Sequence, residues 1–164
     1  MFEQSFLSSP DMWVITTVTI LKSCEEAGLV HNADNCAEHL KALCNCCACH
    51  CPAMAAFKRG QKNIAAPSRF VSHYDPAKCR LCLTCIDRCP MDVISLEGDR
   101  LARDLQRCIG CGLCVSTCPE GAIRMDLREN TPRIEKDNDA LWGKIRREAI
   151  VGMVVSKVIG LKSP

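Results

Sequence analysis

The chain has 164 residues, 15 of them cysteine, and a formal net charge of +2. Thiols this dense in a short chain mean either a disulfide scaffold or metal loading. The weak charge and the lack of basic–aromatic interleaving exclude a nucleic-acid partner, and an aromatic content of 4% excludes a conventional aromatic core.

The first ten residues carry Glu3 but no Lys or Arg, and no cleavage site follows, so no signal peptide is read. The expected location is the reducing cytoplasm, which sets the disulfide scaffold aside. Val14–Leu21 is apolar and β-branched, which suits a strand by propensity. A helix from Thr16 to Ala27 is the preferred reading. Thr16 or Thr17 caps it, Val18, Leu21 and Glu25 keep helical spacing, and Gly28 stands at the stop position.

Next comes Cys44-Asn45-Cys46-Cys47-Ala48-Cys49-His50-Cys51-Pro52, with five cysteines and one histidine in eight residues. No ordinary core needs thiols so close together. Cys24, Cys36, His31 or His39 could complete a site here. Three readings stand: a third iron–sulfur or other metal centre, a redox-active thiol site, or a structural cysteine patch. The metal reading takes the greatest weight. Lys58-Arg59-Gly60-Gln61-Lys62 reads as a solvated loop or a docking patch for an acidic partner, the loop being preferred. With Ala65-Ala66-Pro67-Ser68 it forms a hinge, so residues 1–67 are expected to be a helical, cysteine-rich segment.

One cysteine pattern then occurs twice, 29 residues apart: Cys79-x-x-Cys82-x-x-Cys85-x-x-x-Cys89-Pro90 and Cys108-x-x-Cys111-x-x-Cys114-x-x-x-Cys118-Pro119. Each copy offers three thiolates on a tight loop. The fourth cysteine lies too far along the chain to close the same site easily, so it serves the other one. Two [4Fe–4S] clusters with crossed ligation are expected. Cys79, Cys82, Cys85 and Cys118 would hold one, and Cys108, Cys111, Cys114 and Cys89 the other. Zinc usually takes its ligands in pairs with a longer spacer.

The repeat extends past the thiols. Asp75 matches Asp104, Lys78 matches Arg107, and Ile94 matches Ile123. Each copy reads as strand, cysteine loop, short helical turn and strand. The strands are Phe70–Tyr74, Val93–Leu96, Leu101–Arg103 and Ala122–Leu127, with a glycine turn at Glu97-Gly98-Asp99-Arg100. An internal pseudo-two-fold follows.

With that ligand set, residues 68–128 resemble a bacterial-type two-cluster ferredoxin. The resemblance implies a small α+β fold around two cubanes, and one-electron transfer. The second copy has Gly110 and Gly112 between its cysteines, where the first has Arg80-Leu81 and Leu83-Thr84. Glycines there would let backbone approach a cluster closely, so the two potentials are expected to differ. Glu25–His31 followed by Cys44-Asn45-Cys46-Cys47 and both ferredoxin motifs is also similar to uncharacterised ferredoxin-like proteins of anaerobes. Those carry a longer cysteine-bearing amino-terminal domain and commonly have cysteine where this chain has His50. The chain thus looks like a short or truncated member. Two loaded clusters add roughly −4, bringing the net charge to about −2. Cluster fragility points to a source low in oxygen.

Residues 129–164 are expected to be a linker and an amphipathic helix over Asp139–Leu161. Leu141, Ile145, Ala149, Gly152 and Ser156 form one stripe of it, with Lys144, Arg146, Arg147 and Lys157 interspersed. Its apolar run is too short to span a bilayer. Packing on its own protein or a partner is preferred to lying on a membrane.

No catalytic acid, base or nucleophile constellation, no GxGxxG and no P-loop is present. The leading reading is an electron carrier, or an electron-transfer subunit of a redox complex, working with redox partner proteins. The alternatives are an oxidoreductase component that uses a third metal or redox site at Cys44–Cys51, and a redox-sensing binding module.

Overall fold

The computed structural model describes residues 10–38, 40–61, 68–131 and 133–159. The chain divides into two compact units: Met1–Asn32 with Cys44–Pro132, and Ala33–Leu43 with Arg133–Pro164.

The first unit begins with α1, Pro10–Glu26. The helix starts at Pro10 rather than at Thr16, and proline suits a first helical position because its missing N–H has no partner there. The threonines are therefore inside the helix and not its caps. Thr19 Oγ1 donates to the Ile15 carbonyl at 2.9 Å, and Ser23 Oγ to the Thr19 carbonyl at 3.1 Å. Gly28, with φ of +83°, ends the helix as expected. Strand β1 (Val30–Ala33) pairs with β2 (Leu43–Cys46), and α2 follows at Pro52–Lys58.

Strand β3 (Phe70–Tyr74) pairs antiparallel with β6 (Ile123–Leu127), Phe70 opposite Leu127 and Tyr74 opposite Ile123. Between them β4 (Ile94–Glu97) and β5 (Arg100–Arg103) make a hairpin in which Glu97 faces Arg100. Gly98 supplies its positive φ of +60°. Two four-residue helices, α3 (Thr84–Asp87) and α4 (Leu113–Ser116), each carry the third cysteine of a motif. The mixture of helices with small sheets is an α+β fold.

One core serves this whole unit. Val30, Met54, Met91, Val93, Ile94, Leu101, Leu113 and Ile123 are buried together with Cys85 and Cys114. Among the described residues its buried members are aliphatic or sulfur-bearing, with Phe57 and Tyr74 only partly buried against it. Val30 and Met54 lie before the expected boundary at residue 67, yet they enter this core. A polar bond joins α1 to it as well: Arg88 Nη2 donates to the Glu25 carbonyl, and to the Glu26 carbonyl at 2.9 Å. A guanidinium there meets the last carbonyls and negative pole of a helix C-terminus, the Glu25 carbonyl also accepting the Gly28 N–H at 2.8 Å.

Lys58 is not part of a solvated loop. It stands in the last turn of α2, and its Nζ is 2.6 Å from Asp92 Oδ2. Lys62 and residues 65–67 of the expected hinge lie outside the described residues.

In the second unit the stretch around Cys36 pairs with the stretch around Glu135: Ala37 N–H donates to the Glu135 carbonyl at 2.8 Å, and Glu38 N–H to the Lys136 carbonyl at 2.9 Å. Helix α5 spans Asn138–Ile159, and the Asp137 carboxylate caps it by accepting the Ala140 N–H at 2.8 Å. Trp142, Ile150, Val151 and Val154 are exposed along it. Among the described residues no helix is long and apolar enough to cross a membrane.

Candidate metal centres

Both cysteine loops are entered the same way. The Asp75 carboxylate accepts the Ala77 N–H at 3.0 Å, and the Asp104 carboxylate accepts the Gln106 N–H at 3.0 Å. These Asx turns bend the chain out of its strand just before Cys79 and Cys108. The strand ends are held alike too: Asp75 N–H donates to the Ala122 carbonyl at 2.8 Å, and Asp104 N–H to the Val93 carbonyl at 2.9 Å.

The backbone then makes matched left-handed steps. Leu81 (φ +56°) corresponds to Gly110 (+71°), Leu83 (+63°) to Gly112 (+83°), and Asp92 (+52°) to Gly121 (+59°). The first copy thus puts side chains where L-residues are strained. Gly110 and Gly112 both line the cavity bounded by Cys108, Cys111 and Cys114, and protein contacts add a further demand at one of them. A Cβ on Gly110 would lie 2.1 Å from the Phe70 carbonyl oxygen and 2.8 Å from Ser68 Cβ. That glycine admits β3, a protein strand. A Cβ on Gly112 would meet no protein atom beyond its chain neighbours within 4 Å, and its φ of +83° favours glycine.

The eight predicted ligands line two cavities. One is bounded by Cys89, Cys108, Cys111 and Cys114, with Met91, Val93 and Gly110 among its other walls. The other is bounded by Cys79, Cys82, Cys85 and Cys118, with Leu83, Leu101 and Ile123. Each holds three thiols of one motif and the pre-proline thiol of the other. The two cavities are of similar size. Four thiols per cavity in an apolar wall is a donor set that fits a cubane cluster.

The cavities differ in polarity. Around the first loop, Leu81 N–H points at Cys79 Sγ (3.4 Å), Thr84 Oγ1 at Cys82 Sγ (3.5 Å) and Ala122 N–H at Cys118 Sγ (3.3 Å). In the other cavity Ser72 Oγ is 3.8 Å from Cys108 Sγ. Cys82 is exposed and Thr84 draws its thiol below the usual range, with Arg80 adding to the effect. Burial pushes the Cys111 thiol up and takes Cys114 to about 12, where the neighbouring thiolates add to the rise. Metal binding offsets that cost, because a ligand sulfur must be deprotonated.

The sequence carries the marks of this arrangement. A profile described as a 4Fe-4S dicluster domain matches residues 71–119, and a second of the same description matches residues 107–149. An uncharacterised ferredoxin of Methanocaldococcus jannaschii is 38% identical over 55 residues, covering 32% of this chain and 87% of that protein. The chain belongs to the [4Fe–4S] dicluster ferredoxin family.

A second uncharacterised ferredoxin of the same organism is 32% identical over 97 residues, covering 58% of this chain and 51% of its own. The NADH-quinone oxidoreductase subunit I of Pelobacter propionicus is 35% identical over 79 residues, 40% of this chain and 41% of that subunit. This chain thus spans most of the small ferredoxin but about half or less of the other two. As a ferredoxin-family member it holds two [4Fe–4S] clusters and has an iron–sulfur electron-transfer role.

The ferredoxin motifs leave the Cys44–Cys51 segment unused. Its residues separate in space. Cys44 and Cys46 lie on β2, Cys44 being exposed. Burial raises the Cys46 thiol, and the neighbouring Cys51 thiol adds to the rise. Cys47, Cys49 and His50 converge instead, with one ligand atom from each lying within 4.8 Å of the others. A hydrogen bond from Cys49, then one from His50, takes the Cys47 thiol down to about 6. Neither Cys24, Cys36 nor His31 belongs to this trio among the described residues; His31 Nδ1 is 2.7 Å from Asn45 Oδ1. His39 lies outside the described residues.

Proposed function

We propose that this chain relays single electrons for a redox complex through two clusters with crossed ligation. Cys79, Cys82, Cys85 and Cys118 hold one, and Cys108, Cys111, Cys114 and Cys89 hold the other. The observation that carries this is the composition of the two cavities, each taking its fourth thiol from the opposite motif. When bound, each cluster supplies a one-electron couple. The protein holds the sulfurs, keeps water from the buried face and directs N–H and O–H donors at the ligands.

The matched turns, φ angles and strand-end bonds support a pseudo-two-fold repeat over 68–128, our dicluster domain. Residues 1–67 are then an amino-terminal cysteine-rich segment, and 129–164 a linker with a carboxyl-terminal amphipathic helix. Likeness to NADH-quinone oxidoreductase subunit I supports service as an electron-transfer subunit, with a protein as redox partner. Exposed Cys82 marks the edge where that partner approaches. Ligation by reduced thiols suits the cytoplasm of an organism living at low oxygen.

Anaerobic reconstitution with iron and sulfide counting tests this. About eight of each per chain are expected from two cubanes. A value near four, or retention of both clusters in Cys118→Ser and Cys89→Ser alike, would overturn it.

A further inference from the structure

We propose that Cys47, Cys49 and His50 bind one zinc ion, separate from the two clusters and open to solvent at its fourth position. The three side chains converge on one point of a single turn. Cys47 Sγ and Cys49 Sγ are 2.7 Å apart, and His50 Nδ1 is 3.4 Å from the first and 3.1 Å from the second. Tetrahedral zinc with bonds of about 2.3 Å to sulfur and 2.0–2.1 Å to nitrogen needs S···S near 3.8 Å and S···N near 3.6 Å. The S···N distances are within about 0.5 Å of this, and zinc would require the exposed Cys49 side chain to turn so that the thiols open by about 1 Å.

The donor chemistry selects the ion. Two thiolates and an imidazole form a soft-to-borderline set that suits zinc and gives nothing to magnesium or calcium, which want oxygen. Donors this convergent surround one ion, whereas a cubane's ligands stand at separate corners. Neither cluster cavity is lined by any of the three residues, so the site competes with neither. Cys49 and His50 are exposed. Three protein ligands at a surface leave a coordination position for water or for a thiolate from outside, the pattern of a working rather than a structural zinc site.

The test uses the full chain with both clusters in place, purified without oxygen. Zinc is titrated against a chromophoric chelator, and retained metal is counted. One tightly held zinc per chain is expected, with unchanged iron, and X-ray absorption at the zinc edge should find two sulfurs near 2.3 Å and one nitrogen near 2.0–2.1 Å. Cys49→Ser and His50→Asn should each weaken zinc binding at least tenfold at wild-type iron content, which certifies the fold. Cys36→Ser should leave it unchanged. Zinc held no better than by a protein lacking these thiols, or equally well by both variants, would overturn the proposal. So would iron above eight per chain that disappears in Cys49→Ser, or a Cys47–Cys49 disulfide in the isolated protein. Zinc binding in a chain that fails to load two clusters would sink the crossed-ligation reading and leave this one standing.

Discussion

Arg80 Nη1 lies 2.9 Å from Glu120 Oε1, joining the first cysteine loop to the residue that follows Cys118-Pro119. The pair bridges the two motifs where one cavity borrows its fourth thiol, since both residues line that cavity. Its side chains are 61% and 41% exposed, so water screens it. Such pairs contribute about 0–1 kcal/mol. Arg80→Ala or Glu120→Ala should therefore speed transfer of iron from this site to a chelator by no more than about fivefold.

Cysteine substitution should expose the crossing directly. Cys118→Ser and Cys85→Ser, though 33 residues apart, should disturb the same signal in the EPR spectrum of the reduced protein. Cys89→Ser and Cys114→Ser should disturb the other. Pairing by sequence neighbourhood, with Cys85 and Cys89 affecting one signal, is the contrary outcome.

The two cluster-loop glycines should respond differently to alanine. Gly110→Ala drives a methyl to 2.1 Å from the Phe70 carbonyl, backbone that cannot step aside without moving β3. Cluster content should fall well below that of wild type. Gly112→Ala meets no protein atom beyond its chain neighbours within 4 Å and carries the left-handed backbone penalty, about 1–2 kcal/mol. Both clusters should still assemble, as Leu83 already shows a side chain at the equivalent place. Iron content of the two variants is the measurement.

Thr84→Val removes the hydroxyl 3.5 Å from Cys82 Sγ while keeping side-chain shape. A donor to a ligand sulfur stabilises the more negative, reduced state, so the potential of that site should drop. A neutral hydrogen bond contributes about 0.5–1.5 kcal/mol, which for one electron is roughly 20–60 mV. Redox titration followed by EPR should show one potential lowered and the other unmoved.

Arg88→Ala should loosen α1 without emptying either site. It deletes the guanidinium that meets the Glu25 and Glu26 carbonyls. Charge-assisted bonds of this kind contribute about 1.5–3 kcal/mol. Amide exchange in α1 should accelerate by roughly tenfold to a hundredfold at unchanged iron content.

Much of this was legible in the residues alone. The doubled motif identifies the eight thiols, because a cubane needs closely spaced sulfurs and each tight loop can supply three of its four. Asp75 and Asp104 stood out as matched, and Phe70–Tyr74 matched the strand that forms. The glycine turn at Glu97-Gly98-Asp99-Arg100 also forms, with Gly98 at positive φ. Local rules suffice for these features because each depends on a few neighbouring residues. The start of α1 was missed: the threonines looked like caps, whereas Pro10 is an equally good first residue and the apolar stretch between them suits either.

Other features depended on residues far apart in the chain. Spacing could propose that Cys118 faces Cys79, Cys82 and Cys85, but pairing of β3 with β6 puts it in their cavity. The need for glycine at position 110 lies in the Phe70 carbonyl, 40 residues away in sequence. Val30 and Met54 belong to the ferredoxin core although their segment lacks its motif, since apolar burial follows space and not sequence order. The crowded segment Cys44–Cys51 shows the division most plainly. Composition alone marked it for metal or redox chemistry, and folding sorted its donors into a thiol pair, an exposed thiol and a three-ligand turn. A ligand set is defined by convergence of side chains, which the order of residues does not contain.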